Sequence, residues 1–156
     1  DVCSSDLAKQ RTIDGQAFAG RTSHAPTAGN LPNVQLWNPA GSGRRVIVSS
    51  VALASNIAGT VHAFVGTVPK TVFANVPSKL SGGAASVAET RTSSEVLAFI
   101  NAQISSWVAN VSAGVTQEKT FREPIVLLPG AGLNVVVNSA NAIVDAVFEF
   151  TEEAVG

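Results

Sequence analysis

The chain has 156 residues and a formal net charge of −1, a length that suits one domain with a short appendage. Charged residues make up only 13% of it and hydrophobic residues 46%, against a charged share of about 25% in ordinary globular domains. No Lys/Arg run or basic stripe is present, which excludes the electrostatic footprint of a nucleic-acid binder; no apolar run approaches the ~20 residues that cross a bilayer. The apolar residues are mainly Val, Ala and Ile, with no Met and no Tyr. β-Branched and small residues in alternating runs favour sheet over helix.

In chain order, residues 8–33 read as an N-terminal arm or loop, broken by Gly15, Gly20, Pro26, Gly29, Asn30 and Pro32, with one short strand near Thr12–Phe18. Residues 34–156 read as a β-sandwich domain. It opens with a strand at Val34–Trp37 and a turn at Asn38-Pro39-Ala40-Gly41-Ser42-Gly43. The next strand, Arg44–Ala54, puts Ile47, Val51 and Leu53 on one side and Val46 and Val48 on the other, with Ser49 interrupting. Thr60–Thr67 alternates, Val61, Ala63 and Val65 against His62 and Phe64. Strands at Thr71–Val76 and Ser86–Thr92 flank the turn at Ser81-Gly82-Gly83.

Ser94–Val111 carries two signals. Val96, Ile100, Ile104, Trp107 and Val111 have helical spacing, and Thr92-x-x-Glu95 fits a capping box. Asn101, Ser105, Ser106 and Asn110 oppose a long helix, so one short helix near 95–102 and a strand from Ser106 are expected. Thr120–Leu128 and Leu133–Asn138 flank a tight turn at Pro129-Gly130-Ala131-Gly132. Ala142–Thr151 sends Val144, Ala146, Phe148 and Phe150 inward, and Asp145, Glu149, Ile143 and Val147 outward. About seven to nine turn-punctuated strands without a βαβ rhythm predict an all-β fold, a β-sandwich of jelly-roll-like kind.

The residues offer little for chemistry. His24 and His62 are the only histidines and show no triad spacing or zinc-ligand spacing. Asp145, Glu149, Glu152 and Glu153 could hold calcium in principle, but strand alternation makes them a solvated acidic face. Glu89, Glu95, Glu118 and Glu123 show no convergence of the kind a glycosidase needs. The glycine clusters lack phosphate-loop continuations and are turns. No catalytic residue, cofactor or metal is expected, and the chain reads as a non-enzyme.

Three stretches carry a resemblance. Leu36-Trp37-Asn38-Pro39-Ala40-Gly41-Ser42-Gly43-Arg44-Arg45 is similar to an L-x-N-P-A-G-S-G-K/R opening in small virion proteins of tailed bacteriophages. Phe121-Arg122-Glu123-Pro124-Ile125-Val126-Leu127-Leu128-Pro129-Gly130-Ala131-Gly132-Leu133 resembles the F-R-E-P-I/F-V-L-P-P-G-x-G-L segment of the same proteins. Phe148-Glu149-Phe150-Thr151-Glu152 resembles their closing F-E-W-x-E. Leu128 departs from a proline and Phe150 from a tryptophan. The resemblance implies a virion structural protein: a capsid decoration, neck or tail accessory subunit. Such a subunit is assembled in the bacterial host cytoplasm and partnered by other virion proteins and by its own copies, for example as a trimer. Trp37, Arg44, Arg45, Trp107, Phe121, Arg122 and Glu123 are the interface candidates, with Arg122-Glu123 as a strand-end ion pair or partner contact. The alternative is a carbohydrate- or receptor-binding module with Trp37 and Trp107 as its aromatic platforms. Residues 1–7 resemble the translation of a sequencing adapter, as a chain assembled from metagenome reads would carry. Cys3, the single cysteine, therefore receives no functional weight.

Overall fold

Alternating β-branched residues between glycine-closed bends build sheets, and sheets bury one face each against the other. The computed structural model describes residues 2–156, with side chains from Ser5 onward; Asp1, the first residue of the adapter-like segment 1–7, lies outside the described residues. The elements are α1 (Val2–Ile13), β1 (Ala17–His24), β2 (Leu31–Asn38), β3 (Arg44–Ser55), β4 (Gly59–Gly66), β5 (Thr71–Asn75), β6 (Glu89–Glu95), a 3-10 helix (Leu97–Ala102), β7 (Trp107–Val111), β8 (Gln117–Leu127), β9 (Ala131–Val137) and β10 (Val144–Ala154).

One sheet has the order β1-β10-β3-β8 and the other β5-β6-β2-β9-β4-β7. Set β5 and β6 aside, and the pairing runs outermost with outermost: β1 with β10, β2 with β9, β3 with β8, β4 with β7, all antiparallel. That is a long hairpin doubled over and rolled up, the jelly roll expected from the sequence. The β5–β6 hairpin is an insertion between β4 and β7 that extends the second sheet beyond β2.

Both inner faces meet in one core containing Val34, Leu36, Val48, Leu53, Leu133, Val135, Phe148 and Phe150. Phe18 stacks on Phe150 with ring centroids 5.4 Å apart. The inward set foreseen for β10 holds: Val144, Ala146, Phe148 and Phe150 are all buried. On β3 the phase differs from the expectation. Val46 and Val48 point inward together with Val51 and Leu53. The register steps from Ser50 opposite Glu149 to Val48 opposite Phe150, so Ser49 is an extra residue, and its bulge reverses the alternation.

Three other expectations change. Residues 8–33 are not an arm: α1 ends at Ile13, and Ala17–His24 pairs with β10 along its whole length. The strand drawn near Thr12–Phe18 begins at Ala17 instead. The short helix near 95–102 is a 3-10 helix at Leu97–Ala102, while Glu95 stays extended and pairs with Leu31. Val96, at its start, is extended and makes no side-chain cap, and Ile104 is 94% exposed, so the apolar stripe never gathers on one helical face.

Candidate interaction surface

The two sides of the sandwich end differently. At one side, β1 runs against the insertion. Phe18 bridges to Ser78, the Lys79 amide donates to the Ala17 carbonyl at 2.9 Å, and Gly20 lies under Val76 and Thr90. His24 on β1 contacts the Ser94 hydroxyl of β6 at 3.0 Å. Glu152 on β10 is buried, and its Oε1 accepts from the Ser86 hydroxyl and from the Val87 amide at 2.9 Å. This side is shut.

At the other side both sheets stop at bare edge strands, β7 and β8. The half-buried apolar residues packed against the main core are Trp107, Ala109, Phe121 and Ile125, and all four belong to these two strands. Val108, Val115, Val126 and Leu128 are exposed beside them. An edge strand offers unpaired backbone groups to another chain. Here β8 carries its own interruption: β3 advances from Val48 to Ser50 while β8 advances from Ile125 to Thr120. Phe121–Pro124 therefore bulges opposite Ser49, with Pro124 where no amide is left to donate.

The interface candidates separate accordingly. Trp107 and Phe121 share the open side, and Arg122 and Glu123 project from the bulge. No ion pair among the described residues involves Arg122 or Glu123, so they do not form the strand-end pair considered from the sequence. Arg45 belongs elsewhere, gripping Glu153 at 2.6 Å, while Arg11 of α1 reaches the other oxygen of the same carboxylate at 3.1 Å. Arg44 is exposed beside the mouth of a cavity that Asp14 and Glu152 also line. Trp37 is 5% exposed and packs over Gly132, where a Cβ would come within 2.7 Å of its ring. It is not a sugar platform.

Two of the resembling motifs meet in space. Asn38 is fully buried, and its Nδ2 donates to the Arg44 carbonyl at 2.8 Å and the Leu127 carbonyl at 2.9 Å. The Ser42 hydroxyl donates to Asn38 Oδ1 at 2.7 Å, and the Gly130 amide donates to the Asn38 carbonyl at 2.8 Å. Gly41 and Gly130 hold φ of 75° and 85°, the left-handed region that glycine enters without a Cβ clash. N-P-A-G-S-G and P-G-A-G are thus two halves of one corner.

The carboxylates read as a solvated acidic face are largely paired: Asp145 with Arg21 at 2.9 Å, Glu149 with Lys79 at 2.7 Å, and Glu153 as above. The Lys79 hydrogen bond, against some burial, holds the Glu149 carboxyl below its ordinary value. Burial pushes both histidines down. His62 contacts the Ser105 hydroxyl at 3.2 Å, and neither histidine has a carboxylate partner among the described residues, so neither His–Ser contact is a triad.

Sequence reasoning missed the polar layer on the outer face of the larger sheet. Asn33, Gln35 and Asn134 are buried there, and Asn134 Oδ1 accepts from Asn33 at 3.2 Å and from Gln35 at 3.0 Å. The segment 67–70 and the 3-10 helix fold over them: Gln35 donates to the Val68 carbonyl at 3.0 Å, and Phe99 packs on Phe64 at 5.6 Å. Asn33 and Gln35 alternate with Val34 and Leu36, a pattern that assigns them to solvent, so only the structure shows that both faces of β2 are buried.

No protein-family model matches the chain, and no curated protein sequence matches it.

Proposed function

We propose that the chain is a non-enzymatic structural subunit of a bacteriophage virion, assembled in the host cytoplasm. It would reinforce the capsid, neck or tail by packing its open β7/β8 side against further copies and neighbouring virion proteins. The observation that carries this reading is the asymmetry of the sandwich. The β5–β6 insertion covers the core at one side, while Trp107, Phe121 and Ile125 remain half-covered at the other. Double-sheet jelly rolls of this wrap are a common architecture of viral capsid and lectin domains. The corner formed around Asn38 supports the motif resemblance, because its residues are tied to each other by geometry rather than scattered over the surface. A chain with 13% charged residues also presents little repulsion between close-packed copies.

Size-exclusion chromatography with light scattering at micromolar concentration tests the reading. A discrete closed oligomer is expected, with a trimer the first candidate. A monomer at all concentrations, unaffected by substitutions on β7 and β8, would remove self-assembly.

A further inference from the structure

A cavity of about 260 Å³ opens on the outer face of the larger sheet, away from the β8 bulge. Its walls include Phe64, Val68 and Phe99, and its polar groups come from Lys70, Gln103 and Asn134. Asn134 is only 2% exposed. Its Oδ1 is saturated by Asn33 and Gln35, which fixes the amide and turns Nδ2 the other way. That Nδ2 has no partner among the described residues and lies beside Gly66, where a Cβ would stand 3.0 Å from it. Here it is fixed from behind and left uncovered in front by a glycine.

The second donor is Lys70. Its ammonium sits 5.1 Å from the centre of the Phe99 ring and 2.7 Å from Glu95 Oε1. Burial alone would raise the Glu95 carboxyl, but hydrogen bonds from Lys70, Ser93 and Asn33 outweigh it and hold the group below the ordinary carboxylate range. The charge on Lys70 is therefore already matched, while an ammonium has three donors to give. An anionic ligand would meet no uncompensated cation. What fits is a neutral ring with an apolar C–H face for Phe99 and acceptor oxygens for the two donors. At about 260 Å³ the space lies just under the ~300–1,000 Å³ of drug-sized sites, room for one ring.

We infer that this cavity binds a single neutral pyranose unit of a glycan, its C–H face against the half-buried Phe99 ring and its hydroxyl oxygens accepting from Asn134 Nδ2 and Lys70 Nζ. The pocket is complete within one copy and needs no oligomer. Neither Trp37 nor Trp107 takes part.

The test is titration of the ¹⁵N-labelled full chain with glucose, galactose, mannose and N-acetylglucosamine at millimolar concentration, with glucuronic acid as the acidic comparison. At least one neutral sugar should shift the Asn134 side-chain amide signals. Gly66→Ala, which places a methyl beside that amide, and Phe99→Ala should each weaken the effect by roughly tenfold, with thermal unfolding confirming that each variant folds. If Phe99→Ala unfolds the 3-10 segment, Gly66→Ala alone carries the comparison. Three results would overturn the inference: no shift with any neutral sugar, shifts undiminished in folded Gly66→Ala, or glucuronic acid binding more tightly than the neutral sugars.

Discussion

The shut and open sides of the sandwich are made from the same kinds of residue, yet they spend them differently. On the shut side, Phe18, Val76 and Ala88 reach full burial because the insertion folds over β1. On the open side, Trp107 and Phe121 point at the same core but stay half-covered, because no strand lies beyond β7 or β8. What differs is whether this chain supplies the cover. Substitutions should therefore register as stability on one side and as association on the other.

The largest effect belongs to the shut side. Phe18→Ala removes a ring stacked on Phe150 and should cost about 3–5 kcal/mol, read as a lower urea midpoint at unchanged slope. Gly20→Ala comes next: its new methyl would meet Val76 Cγ2 at 2.8 Å and Thr90 Cγ2 at 3.1 Å, an overpacking cost of about 1–3 kcal/mol. An equal loss on substituting exposed Val126 would erase the distinction between the sides.

Acid should loosen the shut side in two stages. Burial lowers His24 from its ordinary 6.5. As pH falls below that value the unfolded chain takes up a proton before the folded one, so stability is full above it and declines as pH drops. Glu149 is lowered from 4.5 by Lys79; its contribution is present above that value and disappears as pH falls through the depressed folded one. Hydrogen exchange at β1 and at residues 76–90 should quicken, and His62, lowered by burial on β4 opposite β7, should quicken exchange there as well, while exchange at β8 changes less. A uniform acceleration across the chain would contradict this.

The smallest stability effect is expected where the association effect is greatest. Val108→Lys combined with Val126→Lys, both exposed on the two bare edges, should change unfolding free energy by no more than about 0.5 kcal/mol. The same double variant should run as a monomer in light scattering. Loss of folding instead would mean these valines belong to the core of the single chain.

The strands were readable wherever burial alternated without interruption, as on β10; on β4 the alternation breaks, since Phe64 is buried on the outer face and Val65 is exposed rather than enclosed with Val61 and Ala63. Phase was lost at Ser49, since a bulge adds one residue without any composition signal and inverts every side chain beyond it. The first strand was hidden for a related reason. Ala17-Phe18-Ala19-Gly20-Arg21-Thr22 has small residues where the insertion presses close, and small residues at a contact look like a loop. Trp107 and Phe121 were nominated from sequence as interface residues, and both lie on the open side. Trp37 was nominated with them, yet it is enclosed, because nothing local announces that Gly132 will lie beneath it. The cavity lined by Phe64, Lys70 and Phe99 was not legible at all: it depends on a loop and a 3-10 helix folding onto a strand face that alternation alone assigns to solvent.

The outermost pairing has a kinetic consequence. Ala17 of β1 lies opposite Thr151 of β10, so β1 finds its partner only after the residues between them have left the ribosome. A topology dominated by contacts this distant in sequence folds slowly, and until β10 arrives the edge of β3 that it covers stands exposed to other nascent chains. β10 acts as a latch, and removing its residues should release the structure far sooner than removing a comparable number from α1.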